Sequence, residues 1–343
     1  MKKALGLLIF LLFFSIGYKA HASEQTFSID SFTVKQGEEA LVNYLKDKNL
    51  DYQVGSEDFI NAVINLAESS TGFEEYNYDL LSAYASIYIS ESEKNLDSNQ
   101  NNENESLFSL DNSIKNKTIK EIRNENIKKN QEIENQIKFE QTIDASLPIT
   151  QSKTVVNQVM RVQKVVNDSD FSPTAAKNYM KSHWNSKKSD RYGYYGGIGG
   201  DCTNYVSQVI YAGGKKMTGD FVGFGNTRPT TKYWYSKKNK FDYRFNTTSW
   251  IRVNDFYSYW VGTKKHTSYK YTTAKSASKY ASTGDVIQFY KNSTGLWYHS
   301  VVVYDRNGDN GTVRYSAHSD GYLNKSLSKV KDSANDFRVI FFN

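Results

Sequence analysis

The composition of the chain changes abruptly near Asp168, and this change is the strongest constraint on how the chain can fold. From residue 171 to the C-terminus there are 26 Lys and Arg residues against 11 Asp and no Glu, a balance of +15, whereas residues 23–170 carry a balance of −12. Gly, Tyr and Trp also become frequent after this point. The sequence therefore predicts a distinct domain over residues 168–343, preceded by a different kind of structure.

The first 22 residues have the parts of a secretory signal. Lys2 and Lys3 precede a run of about fourteen apolar residues, and Ala20 and Ala22 supply small side chains at the spacing of a cleavage site. The apolar run is short for a bilayer span. We predict a signal peptide over residues 1–22, and hence a secreted, wall-associated protein without a membrane span after cleavage. The alternative is an uncleaved membrane anchor.

Two regions separate this signal from the basic domain. Apolar residues recur at three- and four-residue steps over residues 23–90, as at Leu41 and Leu45 and at Ile60 and Ile64, which predicts a small helical region. Residues 91–167 are rich in Asn, Glu and Lys with sparse isoleucines, and we predict a polar, partly helical spacer without a core of its own. Three roles stay open for this acidic part: a pro-segment covering a basic groove, a spacer or an anchor.

The basic domain begins with helical patterns and continues with strands. Helices are predicted over residues 175–184 and 202–212, with Gly213 and Gly214 ending the second. Strands are predicted over residues 285–290, 298–304, 312–317 and 337–342. This order predicts an α+β domain with an antiparallel sheet.

Cys202 is the only cysteine of the chain, so it has no partner for an intramolecular disulfide in an exported protein. It follows five glycines in the eight residues 193–200 and stands at the start of a predicted helix. A helix N-terminus stabilises a thiolate, and its free N–H groups can hold an oxyanion. We therefore interpret Cys202 as a nucleophile. The alternatives are an intermolecular disulfide and a small buried apolar side chain.

The glycine run fits neither of two familiar ligand-binding loops. It lacks the Gly-Lys-Ser/Thr ending of a phosphate-binding loop, and no strand followed by GxGxxG is present. A zinc site formed by Cys202, His299 and His318 matches no common metal motif. No cofactor and no metal are expected.

A nucleophilic thiol needs a base, which is usually a histidine. His299 and His318 flank two neighbouring predicted strands. A hairpin loop over residues 306–311 would place them opposite each other, and other turns would place Ser316 or Asp320 opposite His299. All three pairings put the orienting residue on the sheet face of His299, and His318 is the preferred one.

Six blocks in this order carry a resemblance to a known family: AAKNYMKSHW, GGDCTNYVSQVIYAGG, TTSWIRVNDFYSYW, TGDVIQFY, YHSVVVY and AHSD. Over about residues 171–343 the chain resembles the putative amidase domain family of Gram-positive bacteria, in the papain-like clan that also holds CHAP-type wall amidases. The resemblance implies a papain-like domain with helices packed on an antiparallel sheet. It also implies a Cys202–His299 pair, a matching third position at His318 and a helix-cap or support role for Asp201. No separate Gln or Asn obviously completes a papain-type oxyanion hole.

The function implied by this resemblance is that of a cysteine amidase or peptidase acting on amide bonds, in cell-wall peptidoglycan for related domains. The basic half indicates an anionic wall polymer as a further partner, and no nucleic acid partner is expected. Aromatic residues near the site are predicted to form a glycopeptide groove: Tyr194, Tyr195, Trp297 and Tyr298. Two other functions stay open, a non-catalytic wall- or polymer-binding protein and an acyl transferase that uses the same thiol.

Overall fold

The computed structural model describes ten stretches of the chain: residues 28–69, 77–94, 108–146, 170–186, 192–193, 195, 201–219, 227–239, 244–318 and 321–343, with side chains up to residue 142 in the third stretch. The predicted signal peptide and most of the glycine run lie outside the described residues. So do Tyr194 and Asp320 and the end of the predicted spacer.

Three helices come first: α1 (Val34–Asp47), α2 (Glu57–Glu68) and α3 (Tyr78–Lys94). The Thr33 side chain accepts a hydrogen bond from the Gln36 N–H at 3.2 Å, which starts α1 with a capping box. The Ser56 hydroxyl accepts from the Phe59 N–H at 3.2 Å and starts α2. We call α1, α2 and α3 the N-terminal helices.

The polar segment that follows is largely helical. A short helix, α4 (Asn112–Lys115), precedes the 28-residue helix α5 (Ile119–Ser146). Three isoleucines of α5 are buried, with Ile119, Ile122 and Ile137 each at most 4% exposed, whereas Ile127 and Phe139 of the same helix are exposed. This segment therefore packs against cores formed by other elements, as expected for a sequence that cannot form its own.

Two helices open the basic domain, α6 (Pro173–His183) and α7 (Asp201–Ala212). Ser172 caps α6, and Pro173 occupies its first turn, where a missing N–H costs nothing. Gly213 and Gly214 follow α7, and Gly214 has a φ of +114°, a conformation that favours glycine. Both predicted helices are observed within two residues of their predicted ends.

A small three-stranded sheet comes next, with β3 central. It consists of β1 (Thr227–Arg228), β2 (Ser236–Lys238) and β3 (Arg244–Thr247). Two short helices, α8 (Thr248–Ile251) and α9 (Val253–Tyr257), and a π-helical turn over Ser258–Thr263 lead away from it.

The main sheet has six strands and is antiparallel throughout. Its strands are β4 (Ser268–Tyr271), β5 (Val286–Lys291), β6 (Leu296–Asp305), β7 (Arg314–Ala317), β8 (Tyr322–Ser326) and β9 (Asn335–Ile340). The spatial order is β4-β9-β5-β6-β7-β8, and the short helix α10 (Ala274–Ser278) connects β4 to β5. The α+β class predicted from the sequence is confirmed.

The two faces of the main sheet belong to different cores. One core joins the N-terminal helices to residues such as Phe289, Val301 and Val303. The other joins α6, α7 and an aromatic cluster around Trp250 to Val302. The sheet is thus a middle layer, and the N-terminal helices are part of the same folded body as the domain that follows them. None of the helices within the described stretches has the length and apolar character needed to cross a membrane.

Candidate active site

Cys202 is the second residue of α7, as the glycine-rich approach to this helix predicts. The helix is buried between α6 and the main sheet, with Val206 and Val209 among its fully buried residues. The thiol itself is buried, and Cys202 is 1% exposed. The structure therefore places the predicted nucleophile at a helix N-terminus, but without access to solvent.

The Cys202 Sγ contacts its neighbour in α7 and two residues that are far away in sequence. Sγ lies 3.7 Å from Glu93 Oε1 and 3.6 Å from Thr203 Oγ1, and the backbone N–H of Ser300 also faces it. Burial raises the pKa of the thiol well above its usual value, and the neighbouring carboxyl of Glu93 raises it further. In this arrangement the thiol is held in its neutral form.

Glu93 comes from the last turn of α3 and is itself buried. Its Oε2 accepts a hydrogen bond from the Val253 N–H at 3.4 Å. The guanidinium of Arg252 donates to the Lys94 carbonyl at 3.1 Å and so holds the end of α3 beside the thiol. Burial raises the pKa of Glu93 to about 8, although the Val253 N–H and the nearby Arg252 charge both act to lower it.

His299 is bound to a second carboxylate from the N-terminal helices. Its Nε2 lies 3.0 Å from Glu68 Oε1, an ion-pair distance, although the direction of the contact falls short of a well-aligned hydrogen bond. Glu68 Oε2 also accepts from the Tyr315 hydroxyl and from Lys325 Nζ, both at 2.8 Å. Burial alone would raise the pKa of Glu68, but the charges of Lys325 and His299 outweigh it and hold the pKa well below its usual range.

The side chains of Cys202 and His299 lie on different faces of the main sheet. The Ser300 hydroxyl accepts hydrogen bonds from Thr203 Oγ1 at 3.1 Å and from Gln288 Nε2 at 3.0 Å, on the α7 face. The His299 ring lies 5.5 Å from the Phe289 ring, on the face covered by the N-terminal helices. The contacts of Sγ do not include His299, so the predicted pair is not joined in this structure.

The register of the β6–β7 hairpin corrects a prediction. Near the loop Asp305 pairs with Arg314, but a bulge at Tyr304 shifts the register, and further along Val302 pairs with Ser316. The extra residue changes the parity that the hairpin predicted, and a one-residue shift moves side chains to the opposite face. The prediction that Ser316 and His318 share a face with His299 is therefore wrong, and Asp320 lies outside the described residues.

His318 is joined to Asp201 instead. Its Nδ1 contacts Asp201 Oδ2, and its Nε2 lies 2.7 Å from the His183 carbonyl oxygen. The Tyr205 ring stacks on His318 at 4.0 Å between centroids, and the Tyr205 hydroxyl lies 2.7 Å from Ser316 Oγ. His318 thus lies on the α7 side of the sheet and fixes the residue that precedes Cys202.

Asp201 connects three parts of the domain. Its Oδ1 accepts hydrogen bonds from the Tyr195 N–H at 3.0 Å and from Asn204 Nδ2 at 2.8 Å, while Oδ2 faces His318. These contacts fix the first turn of α7 to β7 and to the chain before the helix. A support role for Asp201 agrees with this geometry.

The aromatic residues predicted to form a substrate groove are buried. Tyr195 and Tyr298 are at most 3% exposed, and Trp297 is 5% exposed. Trp297 packs with Cys202 in one small cluster and stacks against the Arg338 guanidinium, which lies 4.1 Å from the ring centroid. None of these three residues lines an open groove in the structure described here.

Glu68 and Glu93, the two carboxylates that contact the predicted pair, were not predicted from the sequence. A signal for Glu93 exists, because it continues the four-residue series of buried positions Leu81, Ala85 and Ile89 along α3. Gln288 was missed as well, and its Nε2 donates to Ser300 Oγ and to the Val253 carbonyl at 2.9 Å. Because both N–H bonds of this amide are engaged, Gln288 does not serve as an oxyanion donor in this arrangement.

No group of three or more His, Cys, Asp or Glu side chains is placed to hold a metal ion within the stretches that the structure describes.

Comparison with known families identifies the domain that holds this site. A family model described as a putative amidase domain matches residues 170–341, and the chain belongs to this family. No curated protein and no solved structure matches the chain. Membership of this family assigns the chain a general activity, the hydrolysis of amide bonds.

Proposed function

We propose that this protein is a secreted cysteine amidase that hydrolyses amide bonds in cell-wall peptides. The observation that supports it most is the position of Cys202, the only cysteine, at the first turn of α7 inside the amidase domain. A helix N-terminus favours a thiolate once the thiol is released from neighbouring negative charge. A papain-like arrangement, in which the helix bearing the nucleophile packs on an antiparallel sheet, is part of this proposal.

The proposed reaction has two steps. The Cys202 thiolate attacks the amide carbon, the C–N bond breaks, and the amine leaves with a proton supplied by a histidine. Water then attacks the resulting thioester, the C–S bond breaks, and a carboxylic acid and the free thiol are released.

We assign the base to His299, as the family resemblance implies. Between Leu296 and Val301 the β6 edge that faces away from β5 has no β7 partner among the described residues, since the β6–β7 ladder begins at Val302. The thiol reaches β6 at Ser300, within this stretch. The His299 ring would therefore meet the thiol around this edge, after it leaves Glu68.

The base assignment can be tested by comparing His299→Ala with His318→Ala. If His299 is the base, His299→Ala loses turnover by a factor of about 100 or more, as expected when a general base is removed. His318→Ala should instead lower stability together with activity, because His318 supports Asp201. Full activity in His299→Ala would overturn the assignment.

Cell-wall substrate is proposed from the charge and the leader of the chain. The domain carries a net charge of +15. The Thr263 hydroxyl donates a hydrogen bond to the Thr231 carbonyl at 2.8 Å and so brings two exposed basic segments together. One segment contains Lys232, and the other contains Lys264 and Lys265. Such a surface attracts polyanions such as wall polymers. Secretion rests on the predicted signal peptide.

The test of the function is product analysis with the full mature chain. Purified walls and model peptides are incubated with the protein and with Cys202→Ala, and new amino and carboxyl groups are counted. We expect release by the parent protein only. Binding of walls by both proteins without turnover by either would favour a binding module, and products joined to an added amine acceptor would favour an acyl transferase.

A further inference from the structure

Two buried carboxylates from the N-terminal helices contact the two residues that the amidase chemistry needs. Glu93 of α3 contacts the Cys202 thiol, and Glu68 at the end of α2 contacts the His299 ring. All four side chains are at most 5% exposed. Neither carboxylate belongs to the segment matched by the amidase family.

Burying a carboxyl group is costly unless its surroundings compensate for the lost water. Around Glu93 the compensation is specific, since the Val253 N–H donates to one oxygen and Arg252 lies close by. Arg252 also holds the Lys94 carbonyl, and both Arg252 and Val253 are in the amidase domain. Residues of the amidase domain therefore hold the last turn of α3 in place.

While this contact is in place the site cannot catalyse amide hydrolysis, for three physical reasons. A thiolate beside a carboxyl group is disfavoured by charge and by exclusion of water. The space against Sγ is filled, so an amide carbonyl has no place to approach. The imidazole that would accept the thiol proton is held by Glu68 on the other face of the sheet.

We propose that the last turn of α3 is an internal inhibitor of the amidase site, in which Glu93 occupies the space beside Cys202 that the acyl group of the substrate requires. The site opens when this turn leaves the thiol and breaks the Arg252–Lys94 contact. This inference rests on the proposed function, since it names the regulation of the same thiol.

The inference predicts how fast Cys202 reacts with a small alkylating reagent. Because the chain has one cysteine, iodoacetamide labelling of the full chain reports this thiol alone. We expect the wild-type protein to react slowly at pH 7.5, and Glu93→Ala, which removes the side chain that lies against Sγ, to react about tenfold faster or more, as for a thiol whose pKa falls by about one unit. Glu93→Gln keeps the shape of the side chain and should react more slowly than Glu93→Ala.

A matched control and a second variant keep the test independent of damage to the fold. Glu91→Gln changes a carboxyl group on the same turn that pairs with Lys94, and it should label at the wild-type rate. Arg252→Gln keeps the Glu93 side chain but removes the contact to the Lys94 carbonyl and the positive charge near Glu93, and it should label faster. Thermal unfolding of each variant shows that labelling comes from folded protein.

The inference is overturned if folded Glu93→Ala and Arg252→Gln label within about twofold of wild type, or more slowly. Amide turnover separates this failure from failure of the proposed function. Faster labelling without turnover would retain the internal inhibitor and reject the amidase. Turnover by the wild-type protein that is lost in Glu93→Ala would retain the amidase and reject the inhibitor.

Discussion

Glu93 and Cys202 are two acids buried against each other, and their surroundings favour the neutral form of both. Burial raises the pKa of Glu93 to about 8 and raises the pKa of Cys202 further above its usual range. A site of this kind is stable at neutral pH but unreactive, because neither a thiolate nor a nearby base is present. The contact between Glu93 and Cys202 therefore links the stability of the fold to the protonation state of the thiol.

This connection predicts a pH dependence of stability. The pKa of Glu93 rises from about 4.5 in the unfolded chain to about 8 in the folded chain, so the folded state binds more protons between these values. Stability from this group is complete below about pH 4.5 and is lost as pH rises through about 8. We expect urea midpoints measured from pH 5 to 8 to fall less steeply in Glu93→Gln than in wild type.

Glu91→Gln is the control for this series, because its exposed partner Lys94 lies on the same turn. It should keep the wild-type slope. Parallel slopes for wild type and Glu93→Gln would show that Glu93 is ionised alike in the folded and unfolded chains, contrary to the account.

Glu68 stabilises the fold through a buried charge network. Its carboxylate contacts His299, Tyr315 and Lys325, so Glu68→Gln leaves the Lys325 ammonium without its anion. We expect a loss of about 3 kcal/mol of unfolding free energy in urea at pH 7. Glu125→Gln, which removes only the exposed pair with Lys117, should cost less than about 0.5 kcal/mol. Equal small losses in both variants would contradict the network.

At the scale of elements, the glycine turn after the C-terminus of α7 helps to position the helix. The Gly213 N–H donates to the Val209 carbonyl at 2.9 Å, and Gly214 turns the chain with a φ of +114°. A Cβ at Gly214 would lie 2.5 Å from the Asp170 carbonyl oxygen, so the turn is tightly packed against the chain that precedes α6. This packing fixes the C-terminal end of α7, and it thereby fixes the orientation of the helix that carries Cys202 in its first turn.

Gly214→Ala tests this packing against a matched glycine. Gly311 also has a positive φ, +73°, but a Cβ there would meet nothing within 4 Å. Both substitutions should cost about 1 kcal/mol for the backbone conformation, and Gly214→Ala should cost a further 1–3 kcal/mol or so for the overlap. Urea unfolding measures both, and equal costs would refute the packing argument.

The bounds of several helices and strands could be predicted from the sequence, but the register of one strand pair could not. The helix predicted over residues 202–212 is observed as Asp201–Ala212, because the glycines that end it are a local signal. The strands predicted around residues 285–342 are observed within two residues of their predicted ends. The register of β6 against β7 was predicted wrongly, because a bulge at Tyr304 has no clear sequence signature.

At the scale of the molecule, the N-terminal helices and the amidase domain share one core. Residues of α1, α2 and α3 lie in the same apolar cluster as Phe289, Val301 and Phe337 of the main sheet. The domain matched by the family therefore has one sheet face that the rest of the chain covers. Contacts of this kind cannot be read from local pattern, since Glu93 and Cys202 are 109 residues apart.

A fragment covering residues 168–343 tests this shared core. Without the N-terminal helices it would expose the apolar face of the main sheet, and patches of this kind drive association. We expect the fragment to elute as aggregates in size-exclusion chromatography and to lack a cooperative thermal transition, whereas the mature full chain is folded. A monomeric fragment with a cooperative transition would show that the helices are a separable cover.

The most direct test of the account is amide turnover in a chain whose site has been opened. New amino groups released from walls and model peptides are measured for Glu93→Ala and for Glu93→Ala combined with Cys202→Ala, both as the mature full chain. The account predicts release by the single variant above the wild-type level and none by the double variant. Equal release by both would mean that Cys202 is not the nucleophile.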